Sequence, residues 1–358
     1  MKKLLFTLFV CMFSVCVHAE HSKEVQRIQK ATSNMKYILC IDGGGSKTTL
    51  HIIDSQGIVQ ELTSQGQVVE MTKGGCGNIN FVGKEGMKIT FHQLFDDLEI
   101  HGVPISELST QCAIVTGMGG LGAVQNQEAV CELLEDFGFL KEHIVPLSDA
   151  ALSLEVVGEK GIILISGTGC IAFGRDGGET KRVGGFGKLI DDSPSGYGIG
   201  QFAIKSTLEE EQGYGTPTLL TKMIKEHFKV DRIYDIVVPI HSNEIGQDQI
   251  ASLSKGVFEA ARQGDIVANK IIAKTAKKLG LVLRNLLMLL QKEIDYNVYL
   301  IGGLFLDESA NAFIEMIKNT KALLAHLQEN RQEICFHNIA DRPGALFAMQ
   351  KILEHLGK

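Results

Sequence analysis

Two stretches of the chain share one pattern of apolar and polar positions: an apolar strand, a glycine-rich turn, a second strand and a tight turn. In the first stretch, residues 37–41 and 48–54 predict two strands, and Ser55-Gln56-Gly57 turns the chain into a short third strand over 58–61. In the second, the predicted strands cover 162–165 and 170–173, and a tight turn follows at 175–178. The repetition predicts two related domains that face each other.

Apolar residues recur at helical spacing between and after these two stretches. Over residues 84–99, Met87, Phe91, Leu94 and Leu98 predict the core-facing side of one helix. Further helices are predicted over 126–137, 200–211, 217–228, 247–262, 266–291, 310–327 and 344–356, and further strands over 112–115, 144–147, 297–301 and 333–336. Strands that alternate with helices are typical of an α/β fold.

The length of 358 residues favours two domains over a single core. We expect an N-terminal domain over 36–150, a C-terminal domain with a helical insert over 151–340, and a C-terminal helix over 341–358. Residues 20–35 are expected to be a linker; the polar stretch 21–34 within them could also form a short helix.

The first nineteen residues have the pattern of a secretory signal peptide. Lys2 and Lys3 precede an apolar run over 4–17, and Val17-His18-Ala19 resembles a cleavage site. The run is too short to cross a bilayer. We therefore expect export as a cleaved protein without stable membrane insertion. The alternative is a cytoplasmic protein whose physiological start is Met35.

Charge and cysteine content exclude several classes of function. The formal net charge of −7, without a basic cluster interleaved with aromatic residues, argues against a nucleic-acid partner. The six cysteines beyond residue 19 are widely spaced, and none forms a Cys-x-x-Cys pair or a Cys/His ligand spacing. A structural zinc or an iron–sulfur cluster is therefore not expected.

The first glycine turn has the chemistry of an anion site. Asp42 ends the strand, and Gly43, Gly44 and Gly45 carry no Cβ, so a phosphate could approach their backbone N–H groups. The turn is not a Walker A loop, because Ser46 rather than glycine precedes Lys47. Residues 48–54 continue as a strand rather than a helix, which also argues against a dinucleotide fingerprint. An ordinary glycine-rich hairpin is the alternative.

Two polar residues at other loops are candidates for substrate contact. Asn78 follows a run of glycines, and its amide could bind a polyol or stabilise its own turn. Asp149 comes directly after a predicted strand, where it could be a catalytic acid or base, or the N-cap of the next helix. The glycine-rich segment 184–200 has no strand pattern, and we interpret it as a binding loop rather than a packing element.

Taken in order, these motifs resemble those of the acetate and sugar kinase, Hsp70 and actin superfamily. Within it, the chain resembles the BadF/BadG/BcrA/BcrD ATPases and the eukaryotic-type N-acetylglucosamine kinases over about residues 36–357. The resemblance implies two RNase H-like domains of the actin and hexokinase type that flank an ATP cleft. The motifs that carry it are 42–48, Asn78, 149–151, 166–169, 184–200 and 302–303.

The resemblance also implies a role for each motif. The residues expected to bind ATP are Asp42, Gly43, Gly44, Gly45, Ser46, Lys47, Thr48, Gly167, Thr168, Gly169, Gly302 and Gly303, with Mg²⁺ held by Asp42 through water. The residues expected to bind the sugar are Asn78, Gly117, Gly185, Phe186 and Asp192. Asp149 falls at the position of the general base, which would orient the acceptor hydroxyl and remove its proton.

The expected function is ATP-dependent phosphorylation of an amino sugar, N-acetylglucosamine or glucosamine, at the 6-hydroxyl. One segment departs from the family pattern: Phe186 replaces a tryptophan, and Asp191-Asp192-Ser193-Pro194-Ser195 replaces Gly-Asp-Glu-Gly-Ser. A sugar- or nucleotide-binding protein without turnover is therefore one alternative, and an ATPase that drives a partner protein is another. A homodimer is compatible with the superfamily.

Overall fold

A computed structural model describes residues 23–45, 47–60, 62–64, 67–69, 71–158, 160–177, 179–191, 194–290, 295–341 and 344–356. Its architecture is α/β, with two five-stranded mixed sheets and a small two-stranded sheet. The two large sheets have the same strand arrangement. Each has an antiparallel hairpin with an edge strand on one side and two parallel strands on the other.

The first large sheet, in the order β5-β2-β1-β6-β7, belongs to the N-terminal half of the chain. The elements of this half are α1 (Lys23–Thr32), β1 (Tyr37–Gly43), β2 (Thr48–Asp54), β3 (Leu62–Ser64), β4 (Gln67–Val69), β5 (Thr72–Gly74), α2 (Ile79–Ile100), α3 (Ile105–Gln111), β6 (Cys112–Met118), α4 (Val124–Glu135), β7 (Ile144–Leu147) and α5 (Asp149–Leu154). One face of this sheet packs against α2, α3 and α4. The helical pattern at Met87, Phe91, Leu94 and Leu98 is confirmed, because all four side chains are fully buried there.

The second large sheet, in the order β10-β9-β8-β11-β12, belongs to the C-terminal half. The elements of this half are β8 (Lys160–Ser166), β9 (Cys170–Asp176), β10 (Glu179–Gly184), α6 (Gly196–Glu211), α7 (Leu219–Phe228), α8 (Val237–His241), α9 (Gln247–Arg262), α10 (Ile266–Leu290), β11 (Tyr296–Ile301), α11 (Ala310–Lys318), α12 (Lys321–Glu329), β12 (Ile334–Asn338) and α13 (Gly344–His355). Helices α6, α7, α9 and α10 bury one continuous apolar core against this sheet.

A separate apolar layer lies between the two sheets and is built mainly from α5 and α13. Leu152 of α5 and Ala348, Met349 and Ile352 of α13 are buried there with residues from both sheets, among them Val115 and Ile163. Helix α13 therefore packs against the first sheet although it is the last element of the chain. Helices α5 and α13 begin at Asp149 and Gly344. Because the two helices pack together in this layer, it fixes their positions relative to each other.

Helix α1 resolves one alternative at the amino end. Residues Lys23–Thr32 form a helix rather than a loose linker, and Val25, Ile28 and Ala31 are buried against β6 and β7. A hydrogen bond between His143 Nδ1 and the Ala31 carbonyl, 2.8 Å long, holds the end of the helix. The predicted signal peptide at 1–19 lies outside the described residues. Among the described helices, none has the length and apolar character needed to cross a bilayer.

Three expectations of local structure were wrong. The third strand over 58–61 is reduced to a single bridge between Val59 and Ile53, and β5 takes the edge position instead. The helix expected over 310–327 is two helices, α11 and α12, interrupted at Asn319-Thr320. The segment 184–200 is only partly a loop, since α6 begins at Gly196. A Cβ on Gly200 would overlap the Ile250 carbonyl oxygen of α9. A Cβ on Gly196 would lie 3.0 Å from the Gly167 carbonyl oxygen and 3.2 Å from that of Ala251, so both glycines serve packing.

Candidate active site

Three candidate residues lie at the carboxyl edge of the first sheet. In the parallel register, Asp42 of β1 is paired with Gly117 of β6, and Gly117 is paired with Leu147 of β7. Asp149 follows Leu147 by two residues. The structure therefore brings Asp42, Gly117 and Asp149 to one edge, which is where open α/β sheets bind their ligands. Gly117 itself is buried, and a Cβ there would be 3.0 Å from Leu152 Cδ2.

The Asp42 carboxylate is held by the amino end of α13. Gly344 N–H donates to Asp42 Oδ2 at 2.7 Å, and Ala345 N–H donates to the same oxygen at 3.4 Å. Unpaired N–H groups at a helix start favour a negative charge there. Burial nevertheless raises the pKa of the Asp42 carboxyl; these two N–H groups oppose the rise, Asp149 adds to it, and Lys47 opposes it.

The Asp149 carboxylate is not used to cap its helix. Ser148 is the N-cap of α5, because Ala151 N–H donates to Ser148 Oγ at 3.0 Å. Asp149 Oδ1 accepts a local hydrogen bond from Ala150 N–H, at 2.8 Å. The side chain is open to solvent, yet protein surrounds it on several sides. This crowding raises the pKa of the Asp149 carboxyl, and the backbone N–H groups of Ala150 and Asp149 oppose the rise.

The first glycine turn is braced by the loop that follows β5. Gly44 donates its N–H to the Lys47 carbonyl at 3.0 Å, and Gly77 donates to the Gly44 carbonyl at 2.8 Å. The backbones of Gly43 and Gly77 approach so closely that a Cβ on Gly77 would be 2.5 Å from Gly43 Cα. A Cβ on Gly44, in contrast, would meet no atom within 4 Å. The tip of the turn is therefore the part that is open to a ligand.

The other predicted residues of this turn differ in their exposure. Thr48 is fully buried, and its hydroxyl donates to the Gly75 carbonyl at 2.7 Å, so it supports the turn from below. Lys47 is exposed. Gly45 lies beside the exposed ring of Phe81. Ser46 lies outside the described residues.

Asn78 has the local role that sequence reasoning left open, and it also lies near the sheet edge. It is the N-cap of α2, with Asn80 N–H donating to Asn78 Oδ1 at 3.1 Å. Its amide group packs against Gly119 and Gly120, directly after β6. This contact places the Asn78 side chain next to the strand end that carries Gly117.

The second glycine turn joins β8 to β9 and lies against two other segments. Gly167 N–H donates to the Gly169 carbonyl at 3.0 Å, and Gly196 N–H, at the start of α6, donates to the Gly167 carbonyl at 2.7 Å. On the other side, Gly302 has φ +111°, and a Cβ there would be 2.5 Å from the Ser166 carbonyl oxygen. Residues 167–169 and 302–303, which are far apart in sequence, therefore form one surface.

Gly302 and Gly303 should respond differently to alanine. Gly302→Ala places a Cβ into the Ser166 backbone at a left-handed φ and should lower the free energy of unfolding by about 1–3 kcal/mol. A Cβ on Gly303 meets nothing within 4 Å, so Gly303→Ala should unfold at the wild-type urea midpoint. If Gly303 contacts ATP, Gly303→Ala will weaken ATP binding in calorimetry while keeping that midpoint. Equal midpoints for both variants would contradict the close packing at Gly302.

The segment that carries Gly185 and Phe186 leaves β10 through two glycines in the left-handed region. Gly184 and Gly185 both have φ +78°. Arg182 donates from Nε to the Gly184 carbonyl at 2.9 Å and from Nη2 to the Gly185 carbonyl at 2.5 Å. The guanidinium also lies over the Phe186 ring, 4.9 Å from its centre, and 61% of the Phe186 side chain is exposed. Asp192 lies outside the described residues.

The order of these motifs is that of a known protein family. The model of the BadF/BadG/BcrA/BcrD ATPase family matches residues 39–328. The chain belongs to this family. The match confirms the resemblance seen in the motifs, and it covers both glycine turns and Asp149.

Two relatives are similar to this chain over most of its length. An N-acetylmuramic acid/N-acetylglucosamine kinase from Clostridium acetobutylicum is 34% identical over 251 residues, or 69% of this chain and 78% of the relative. An N-acetyl-D-glucosamine kinase from Dictyostelium discoideum is 28% identical over 283 residues, which are 74% of this chain and 83% of the relative.

A solved structure shares the fold of this chain. The protein, from Chromobacterium violaceum and provisionally assigned as an N-acetylglucosamine kinase, superposes with a TM-score of 0.63 at 21% identity. The superposition covers 89% of this chain and 99% of that one.

Sequence reasoning missed several contacts made by the candidate residues or by their neighbours. The Pro343-Gly344 pair signalled a helix start, but nothing in the sequence showed that Gly344 would contact Asp42. Arg182 was also missed, because it precedes the glycine pair and resembles an ordinary strand residue. A third omission is the ion pair between Glu155 and Arg175, whose partners are 20 residues apart and which links the end of α5 to β9.

Proposed function

We propose that the chain transfers the γ-phosphoryl group of ATP to the 6-hydroxyl of an amino sugar, N-acetylglucosamine or glucosamine. The observation that carries this proposal is the Asp149 carboxylate. It stands at the carboxyl edge of the first sheet, is released from capping by Ser148, and lies close enough to Asp42 to affect the pKa of that residue. A carboxylate at such a position can accept the proton of an acceptor hydroxyl.

The two glycine turns support ATP as the phosphoryl donor, in agreement with the ATPase family. The tip of the first turn, around Gly44, is open to an anion. The second turn presents 167–169 beside Gly302 and Gly303. Backbone N–H groups at such turns hold phosphate oxygens without a side chain in the way.

The residues present also fit the magnesium ion that accompanies ATP. Mg²⁺ is usually held by one or two carboxylates, water and the phosphates of its substrate. Asp42 meets this requirement: one of its oxygens is fixed by α13, and Asp149 adds a second negative charge nearby. Asp42 would hold the ion through water. When bound, Mg²⁺ neutralises part of the phosphate charge.

Asp149 would supply the acid–base chemistry of the reaction. Its carboxylate takes the proton of the sugar hydroxyl while that oxygen attacks the γ-phosphorus, and ADP departs with the former bridging oxygen. The raised pKa of Asp149 makes it a stronger base than an ordinary aspartate, which favours proton removal near neutral pH. We propose that Asn78, Gly117, Gly185, Phe186 and Asp192 bind the sugar.

Amino sugars are the substrate class favoured by the relatives. Both curated relatives described above are kinases of N-acetylated amino sugars, and a glucosamine kinase from Vibrio cholerae is 24% identical over 249 residues. Phe186 supports this class from the structure, since an exposed aromatic ring can stack on the apolar face of a hexose.

One observation favours a second candidate, a sugar or nucleotide sensor without turnover. The segment 191–195 lacks the glutamate and a glycine of the family pattern and contains Pro194. Ser166 Oγ donates to the Pro194 carbonyl at 2.8 Å, which ties this altered segment to the second glycine turn.

We also propose that the protein is exported and that cleavage after Ala19 leaves α1 intact. A start at Met35 would remove α1 and uncover the apolar surface that Val25 and Ile28 bury. N-terminal sequencing of the protein from its native source distinguishes the two: a first residue near Glu20 supports export, and a first residue at Met35 overturns it.

The proposed function is tested by ADP release from Mg-ATP in the presence of amino sugars and neutral hexoses. We expect strong stimulation by N-acetylglucosamine or glucosamine and little by glucose. NMR of the product should show phosphate on the 6-oxygen. ATP hydrolysis that no sugar changes would support a partner-driven ATPase. Sugar or nucleotide binding without ADP release would support the sensor.

A further inference from the structure

Arg182 has a fixed guanidinium whose hydrogen-bond and ring contacts, among the described residues, are all with neutral groups. Three contacts orient its guanidinium: the carbonyls of Gly184 and Gly185 and the ring of Phe186. All three partners are electrically neutral. Among the described residues, no carboxylate forms an ion pair with Arg182, whereas Arg175 of the neighbouring strand is paired with Glu155.

The other described charged groups near this segment form no ion pair with Arg182. Asp191 approaches Gly184, but it interacts electrostatically with Lys278 of α10, which in turn lies near Lys274. Both lysines also lie over the ring of Phe202. Asp191, Lys274 and Lys278 therefore interact with one another, and none of them is a described ion-pair partner of Arg182.

We infer that Arg182 is a specificity residue for an amino sugar that bears a carboxylate, such as one with a carboxylic acid side arm on the ring. The inference rests on the proposed function, since it uses Phe186 as part of the sugar site. Arg182 already uses Nε and Nη2 on backbone carbonyls, which leaves Nη1 and the remaining N–H groups as donors for a carboxylate. A neutral amino sugar would stack on the Phe186 ring in the same way but would make no charged contact with Arg182.

The substitutions that test the inference separate charge recognition from simple positioning. Arg182→Gln removes the charge, and Arg182→Lys keeps it without the planar fork. Lys181→Gln is the matched control, because it removes a positive charge one residue away on the opposite face of the strand. Each variant is assayed with N-acetylmuramic acid, which carries a carboxylate, and with N-acetylglucosamine, which does not.

We expect Arg182→Gln to lower the ratio of kcat/KM for N-acetylmuramic acid to that for N-acetylglucosamine by about 10-fold to 100-fold, the usual value of a charged hydrogen bond. Arg182→Lys should lower this ratio less than Arg182→Gln does, and Lys181→Gln should leave the ratio unchanged. If Arg182→Gln weakens both sugars equally, Arg182 only positions Phe186 and the inference is wrong.

A binding measurement keeps this test independent of turnover. The chain contains no tryptophan, so Phe186→Trp introduces a single fluorescent reporter into the proposed sugar site. Both sugars are titrated against Phe186→Trp with and without Arg182→Gln. Preferential loss of N-acetylmuramic acid binding supports the inference even if no sugar stimulates ADP release, a result that would overturn the kinase proposal alone. Unchanged preference in this titration would overturn the inference alone.

Discussion

Replacing Asp149 with asparagine should lower the rate of sugar-dependent ADP formation by about 10²- to 10⁴-fold, the usual loss on removal of a general base. Asparagine has nearly the same shape but cannot accept the hydroxyl proton. The measurement is kcat with saturating ATP and sugar, together with the affinity for ATP by calorimetry. ATP affinity should change little, because the glycine turns are untouched.

The pH dependence of kcat gives a second test of Asp149 as the general base. A general base acts only when it is deprotonated, so activity is lost as pH falls through its pKa. Because the surrounding protein raises the pKa of Asp149, the acid limb of the profile should lie above the range of an ordinary aspartate. Asp136→Asn, at an exposed position after α4, is the control and should keep both rate and profile. A near-normal rate in Asp149→Asn would exclude Asp149 as the base.

The second large effect is expected on stability, at the ion pair between Glu155 and Arg175. The side chains are 3% and 11% exposed, and Arg175 donates to both carboxylate oxygens, at 2.8 and 3.0 Å. Arg175 also donates to the Gly158 carbonyl at 3.1 Å. Glu155→Leu leaves a buried guanidinium without its counter-charge and should lower the free energy of unfolding by about 3–5 kcal/mol in urea denaturation.

The double variant Glu155→Leu/Arg175→Met distinguishes a stranded charge from lost packing. Removal of both charges should restore much of the stability lost in the single variant, since two apolar side chains of similar size replace a pair that was costly to desolvate. Lys84→Met, which breaks the exposed pair of Lys84 with Glu132, is the control and should unfold at the wild-type midpoint. A double variant as unstable as Glu155→Leu would show that packing dominates.

The sequence predicted the fold well where a strand or helix carries a local signal, whereas the short strands β3, β4 and β5 were not predicted. The strand ending at Leu147 was predicted with the bounds that the structure shows, and its position at the sheet edge brought Asp149 to the site. The edge strand was mispredicted because apolar content at 58–61 does not reveal that β5 occupies the pairing position. Competition between two segments for the same neighbouring strand cannot be detected from the local pattern of either segment.

The site was predictable where a motif is contiguous and not where two segments meet. The glycine turns were found as motifs, and their roles in binding stay predictions. The Gly302 contact with Ser166 and the Gly344 contact with Asp42 depend on tertiary packing alone. The glycines at 196 and 200 were misinterpreted for the same reason, because the neighbouring helix α9 that makes them necessary begins about 50 residues later.

The hydrogen bond from Gly344 to Asp42 joins positions 302 residues apart and therefore has a consequence for biosynthesis. At ribosomal speeds of about 5–20 residues per second, roughly 15–60 s separate the synthesis of the two residues. A nascent or prematurely terminated chain lacks α13 and leaves Asp42 without these donors. Asp42 can therefore gain these two hydrogen-bond donors only after α13 has been synthesised.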